Sequence, residues 1–97
     1  MQRRYALNLI VNGKRLSHVV IDDHYRLKHG NSMNDGLILD LVRTLDGRTY
    51  LHEFVTLQGW EIYTVDPLSL NGKEYRMVWC LNPYEDYLGV INAFRRK

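Results

Sequence analysis

The chain has one cysteine, a net charge of +2 and no long hydrophobic run among its 97 residues. A lone cysteine, Cys80, excludes an intramolecular disulfide and a zinc site made of several cysteines. No apolar stretch approaches the ~18 residues that a membrane-spanning helix needs, and the N-terminus has no apolar signal-peptide core. These absences predict a cytoplasmic protein with no membrane partner.

Sequence motifs of common cofactor-dependent and hydrolytic enzymes are also missing. The chain contains no glycine-rich nucleotide loop, no Gly-x-Ser-x-Gly elbow and no HExxH pair. His24 and His29 are separated by about 140° around a helix, so one helix face cannot present both to one metal ion. The sequence therefore predicts no metal site and no cofactor, and it gives little support to a metabolic enzyme.

The composition of the chain is typical of a globular domain. Hydrophobic residues make up 45% and charged residues 25%, which is ordinary for a folded protein. The length suffices for one modest core, and no repeat, low-complexity segment or linker interrupts the chain. We therefore expect residues 1–97 to form a single domain.

Apolar runs separated by polar turns predict six strands. Asn12-Gly13 lies between the first two runs and is a strong signal for an N-terminal β-hairpin. The later runs are joined by short turns, which favours an antiparallel meander of about four strands. The predicted strands cover residues 5–11, 15–21, 48–55, 60–65, 74–81 and 87–94.

Two helices are predicted between the hairpin and the meander. A short helix is expected over residues 24–29, ended by Gly30. An amphipathic helix is expected over residues 37–45, because apolar side chains recur there at helical spacing. These side chains are Ile38, Leu41, Val42 and Leu45. The predicted fold class is therefore α+β, with a hairpin, a short and an amphipathic helix, and a four-stranded antiparallel meander, the helices covering one face of the sheet.

The last two predicted strands suggest a basic surface. If they pair, Arg76 and Arg95 could lie on one concave face, where small neighbours such as Ala93 leave room for a ligand. Alternatively, both arginines are ordinary charges at strand ends or edges. The clustered cations at the C-terminus are also typical of a phosphate-binding surface, or of a solubilising tail.

The segment from His24 to Gly30 carries two imidazoles, a guanidinium and an ammonium group. Metal-free RNA cleavage needs a base for the 2′-hydroxyl, an acid for the leaving 5′-oxygen and cations for the phosphorane. Histidine with arginine or lysine can supply all three. Aromatic side chains of the strands, Tyr50, Trp60 and Tyr63, are candidates for stacking on bases, and burial in the core is the alternative.

Residues 22–97 resemble a known group of toxins. Lys28-His29-Gly30, followed by Asn-Ser and a helix, is similar to the Lys-His-Gly segment of BrnT-type toxins. The closing strands, over residues 75–95, resemble the paired terminal strands of the wider RelE/ParE-like group. The resemblance implies the barnase–EndoU–colicin–RelE-like ribonuclease fold, metal-independent cleavage of RNA, and neutralisation by a cognate antitoxin.

The resemblance also implies roles for individual residues. Lys28 and Arg76 are expected to hold phosphate, His24 or His29 to act as acid or base, and Arg95 to stabilise the transition state. The candidate catalytic residues are thus His24, His29, Arg76 and Arg95. The candidate RNA- and phosphate-binding residues are Arg26, Lys28, Arg96 and Lys97.

Two functional hypotheses follow from the sequence. The first is a metal-independent endoribonuclease toxin of a toxin–antitoxin pair, with RNA and an antitoxin protein as partners. The second is a non-catalytic protein-binding module of phage or mobile-element origin, which uses a sheet edge or the apolar helix to bind another chain. In the second hypothesis the histidines are solvated helix residues, and a homodimer is compatible with either.

Overall fold

The computed structural model describes residues 1–30 and 32–96, with His29 described by its backbone alone. The chain forms an α+β fold, as predicted. Its elements are β1 (Gln2–Val11), β2 (Lys14–Asp22), α1 (His24–His29), α2 (Asp35–Arg43), β3 (Phe54–Val55), β4 (Glu61–Leu70), β5 (Lys73–Leu81) and β6 (Tyr87–Arg95). The strands form one sheet in the order β1-β2-β6-β5-β4-β3.

The sheet differs from the predicted four-stranded antiparallel meander, because it has six strands and is mixed. Strands β3 to β6 do pair antiparallel in sequence order. However, β2 also pairs with β6 in parallel, with Val19 opposite Leu88 and Ile21 opposite Val90. This pairing joins the N-terminal hairpin to the meander, and a hairpin that lacks such a neighbour is marginally stable.

The β1–β2 turn confirms the predicted hairpin. Asn12 has a φ of 55° and Gly13 a φ of 72°, so both central residues of the turn are left-handed. A two-residue turn of this kind matches the twist of the strands that it joins. Asn71 and Gly72 repeat the arrangement between β4 and β5, with φ values of 52° and 78°.

The predicted strand over residues 48–55 is mostly wrong, since β3 contains two residues. Conversely, β4 continues to Leu70, beyond the predicted end at residue 65. Pro67 is tolerated there because β3 pairs only with the first two residues of β4, which leaves the rest at the sheet edge. A register shift between Val65 and Leu68 accommodates the proline in the β4–β5 pair.

Both helices contribute to one core on one face of the sheet. From α2, Ile38, Leu41 and Val42 are fully buried. They belong to the same apolar cluster as Trp79 of β5 and Tyr63 of β4, whose rings stack at a centroid distance of 4.2 Å. The opposite face of the sheet carries neither helix and is called the helix-free face below.

Asp35, the first residue of α2, fixes the helices to the outer strand β1. Its carboxylate accepts two hydrogen bonds from the Arg3 guanidinium, one of 2.9 Å, and further bonds from the hydroxyls of Tyr5 and Tyr25. The Asn34 side chain caps the same helix by accepting from the Leu37 N–H at 2.8 Å. The hydrogen bonds from Arg3 hold the pKa of Asp35 well below its usual value, against the opposing effect of burial.

Candidate functional site

The short helix α1 presents several of the predicted site residues. Arg26 and Lys28 are exposed, and Arg26 lies 3.8 Å from the carboxylate of Asp23. His24 is half-buried, and its backbone N–H donates to Asp22 at 2.8 Å. The predicted roles of the His29 side chain and of Lys97 fall outside the described residues.

The structure does not bring Arg76 and Arg95 to one face, so the predicted shared basic surface is wrong. Tyr75 lies opposite Arg95, and Arg76 lies opposite Phe94. Residues directly opposite each other share a face and neighbours along a strand alternate, so the two arginines point to opposite sides. This register was not determined by the alternation within either strand.

A carboxylate of β4 pairs with two of the predicted phosphate ligands. Arg76 Nη1 lies 3.2 Å from Asp66 Oδ2, and Arg96 forms a second ion pair with Asp66. An arginine that is already paired with a carboxylate must break that contact before it can hold a phosphate. Asp66 had no role in the sequence analysis, because its proximity to both arginines depends on the β4–β5–β6 pairing.

The predicted base-stacking residues divide between the two faces. Tyr63 is 2% exposed and stacked on Trp79, while Tyr50 packs edge-on against the same indole at 5.5 Å. The prediction that these two tyrosines stack on bases is therefore wrong, and the core alternative is correct. Trp60 instead lies beside Tyr87, with ring centroids 5.6 Å apart.

A row of cross-strand neighbours runs over all six strands on the helix-free face. The register places Arg4, Val20, Gly89, Cys80, Ile62 and Phe54 side by side, one residue from each strand. Five of these six residues are uncharged, and this sequence of neighbours defines the row below. A sheet face open to water normally carries polar side chains, so the apolar centre of the row is unusual.

The middle of the row forms the floor of a pocket of about 340 Å³. Trp60 and Tyr87 stand beside it, and the residues at its margin include Thr56, Gln58, Gln2 and Asp22. The position of Gly89 must lack a side chain, because a Cβ there would lie 2.8 Å from Cys80 Sγ. Its small size keeps the floor open.

The thiol of Cys80 contributes to the apolar lining of this pocket. Burial raises its pKa to about 11, against a smaller opposing effect of a hydrogen bond from the Gly89 backbone. The thiolate is the reactive form of cysteine, so a thiol with this pKa is protonated at neutral pH and is a poor nucleophile. The sequence expectation of an inert, packed thiol agrees with this environment.

The margin of the pocket carries strongly exposed apolar side chains. Leu57 lies between the two margin residues Thr56 and Gln58 and is fully exposed, at 103%. Phe54, at the end of the row, is 56% exposed. At the opposite end, the Arg4 guanidinium lies 5.1 Å from the Tyr87 ring centroid.

A second cleft, of about 440 Å³, gathers ionisable groups at one end of the sheet. Lys14, His52, Glu61 and Tyr63 line it together with apolar residues. The Tyr63 hydroxyl donates to Glu61 at 3.1 Å and accepts from the Asn12 side chain at 2.8 Å. Burial and then the bond to Glu61 raise the pKa of Tyr63 to about 12.

Sequence analysis missed this cleft because its residues are distant in the chain. His52 was noted as a histidine of a predicted strand, whereas it lies in the loop before β3. Its ring meets the Tyr63 ring edge-on at 6.2 Å. The cleft therefore combines a cation, an imidazole and a carboxylate, which are groups able to exchange protons with a ligand.

Searches for metal and membrane features and for relatives add no further assignment. Among residues 1–30 and 32–96, no group of three or more His, Cys, Asp or Glu side chains could hold a metal ion. No helix in this part of the chain is long and apolar enough to cross a membrane. Family models, curated proteins and solved structures were compared with the chain, and none matches it.

Proposed function

We propose that this protein is a non-catalytic protein-binding module that uses its helix-free face. The observation that supports the proposal is the open apolar row with its pocket, bordered by the exposed side chains of Phe54 and Leu57. Contiguous apolar surface of this kind on a folded protein marks interaction sites. The pocket gives a partner a defined place for one anchoring side chain.

The energetics favour burial of this face by a partner. Transferring a large apolar side chain from water into an interface stabilises it by about 1.5–3 kcal/mol. Phe54 and Leu57 have most of this stabilisation available, because both are largely exposed in the single chain. A pocket that already exists in the free protein also lowers the conformational cost of binding.

A face-specific variant tests this function. We expect Phe54→Asp to abolish recovery of a bound protein from the cells that make the chain, because a charge replaces the exposed end of the row. Leu51→Asp is the matched control, since Leu51 is equally apolar, 93% exposed and lines the second cleft. Equal recovery with both variants would contradict the use of the helix-free face.

A second candidate function, an endoribonuclease toxin, is favoured by the ionisable cleft. We propose in this case that Glu61 or His52 removes the 2′-hydroxyl proton, while the other group protonates the leaving 5′-oxygen. Lys14 lines the same cleft and is the cation available to the phosphate. RNA and a neutralising antitoxin are the corresponding partners.

Expression in bacteria separates the two functions. Growth and total RNA integrity are compared for the intact chain, His52→Ala and the double variant His29→Ala, Arg76→Ala. Growth arrest with RNA cleavage that His52→Ala removes supports the cleft, whereas loss in the double variant supports the site predicted from sequence. Normal growth with intact RNA for the unaltered chain contradicts a ribonuclease and favours the binding module.

A further inference from the structure

We propose that the partner of the helix-free face is a second copy of this chain, and that Leu57 of each copy enters the pocket of the other. This inference rests on the proposed binding function, because it names the occupant of the same face. The pocket and Leu57 lie side by side on one surface, since Thr56 and Gln58 on either side of Leu57 both line the pocket. One molecule thus carries both the protruding side chain and the cavity.

Two-fold symmetry makes this combination self-complementary. In a symmetric dimer the same patch from each copy meets itself, so each contact between a side chain and a pocket occurs twice. The pocket volume of about 340 Å³ is ample, because cavities of about 150 Å³ hold a benzene-sized apolar group. Leu57 is fully exposed in the single chain and has no competing packing to lose.

The size of the face is close to what a stable dimer buries. Six strands about 4.8 Å apart and about 30 Å long give a face of about 700 Å². Standard interfaces bury about 800 Å² from each partner. The helix-free face therefore supplies most of the necessary area from a single surface.

The charge distribution permits the two faces to meet. The row carries one charged residue, Arg4, and that residue lies at its β1 end, away from Leu57 and Phe54. Arg4 is also close to Asp86, at 3.9 Å. The centre of the interface thus contains no pair of like charges that would oppose association.

Sedimentation equilibrium over a range of protein concentrations tests the dimer. We expect the intact chain to reach twice its mass of 11.5 kDa, and Leu57→Asp to remain a monomer over the same range. Loss of two leucine contacts per dimer should weaken association by about 100-fold or more. Leu51→Asp is the matched control and should dimerise like the intact chain.

A crosslink tests the contact itself, because Cys80 lies in the floor of the pocket. In Leu57→Cys the introduced thiol should form a disulfide with Cys80 of the other copy, with oxidised glutathione accepting the two electrons and the protons. A covalent dimer on a non-reducing gel, with the 57–80 linkage identified by peptide mapping, supports the contact. Leu51→Cys should give no linkage to Cys80.

The outcomes separate this inference from the binding function on which it rests. A monomeric intact chain at all concentrations, without the 57–80 linkage, overturns the dimer. If Phe54→Asp still abolishes recovery of another protein in that case, the face is a binding surface for a different partner. Assemblies larger than a dimer would overturn the closed two-fold arrangement, since they indicate that Leu57 contacts propagate from copy to copy.

Discussion

Replacing Asp35 by asparagine should destabilise the protein strongly, because one carboxylate links α2 to β1 and α1. The group accepts four hydrogen bonds, from Arg3, Tyr5 and Tyr25. Its side chain is 12% exposed and that of Arg3 is 19% exposed, so water compensates poorly for their loss. An asparagine has no negative charge to offer Arg3, and its amide hydrogens cannot accept from the tyrosine hydroxyls.

The expected loss in free energy of unfolding is about 3 kcal/mol. Removing one partner of a buried ion pair costs about 3–5 kcal/mol, and the partial exposure of Arg3 places this pair at the low end. The four hydrogen bonds cannot be added separately, because they belong to one network. For a domain of this size, the loss corresponds to a fall in Tm of about 12–24 °C.

Urea unfolding followed by tryptophan fluorescence at neutral pH measures this change. Asp40→Asn is the matched control, because Asp40 lies on the same helix and pairs with Arg43 at 2.7 Å, but is 57% exposed. We expect the control to lose less than about 0.5 kcal/mol. The reasoning would be refuted if the two variants were destabilised equally.

The same carboxylate predicts how stability depends on pH. The pKa of Asp35 lies well below its usual value of 3.8, chiefly because Arg3 donates to the ionised form. As the pH falls below about 4, the unfolded chain takes up a proton before the folded chain does, so stability is lost. In Asp35→Asn the decline in this acid range should be shallower, and an unchanged slope would contradict the assigned pKa direction.

Three further predictions concern the pocket and the helix cap. Gly89→Ala should cost about 1–3 kcal/mol, because its Cβ meets Cys80 Sγ, and Cys80→Ala in the same chain should recover most of that loss in urea unfolding; no recovery would argue against this contact. Alkylation of Cys80 by iodoacetamide at pH 8 should be on the order of 100-fold slower than in the unfolded chain and should accelerate towards pH 11, whereas a fast reaction would be inconsistent with a buried thiol. Asn34→Ala should lower the free energy of unfolding by about 1 kcal/mol, because the Leu37 N–H loses its acceptor, and a loss near zero would show that the cap is dispensable.

Local features of the fold were predictable from sequence because the cause of each lies within a few residues. The β1–β2 hairpin depends on Asn12 and Gly13, which adopt the left-handed conformation that its turn requires. The buried side of α2 follows from the helical spacing of Ile38, Leu41 and Val42. In both cases the pattern and its structural consequence occupy the same segment.

The site was predictable to a much smaller extent. Arg76 and Arg95 were expected to share a face, yet the β5–β6 register separates them. That register includes a shift between Val78 and Trp79, and no residue pattern within either strand announces it. Likewise, Asp66 neutralises Arg76 and Arg96 across three strands.

By itself, the sequence determined the α+β class, the first hairpin, both helices and the general positions of the later strands. The tertiary structure alone decided that β2 pairs with β6 in parallel, which places Val20 beside Gly89 and completes the row from Arg4 to Phe54. Local preferences act through hydrogen bonds and side-chain contacts between near neighbours. A pocket floor or an ionisable cleft instead requires residues from distant segments to meet, and that meeting depends on the packing of the whole sheet.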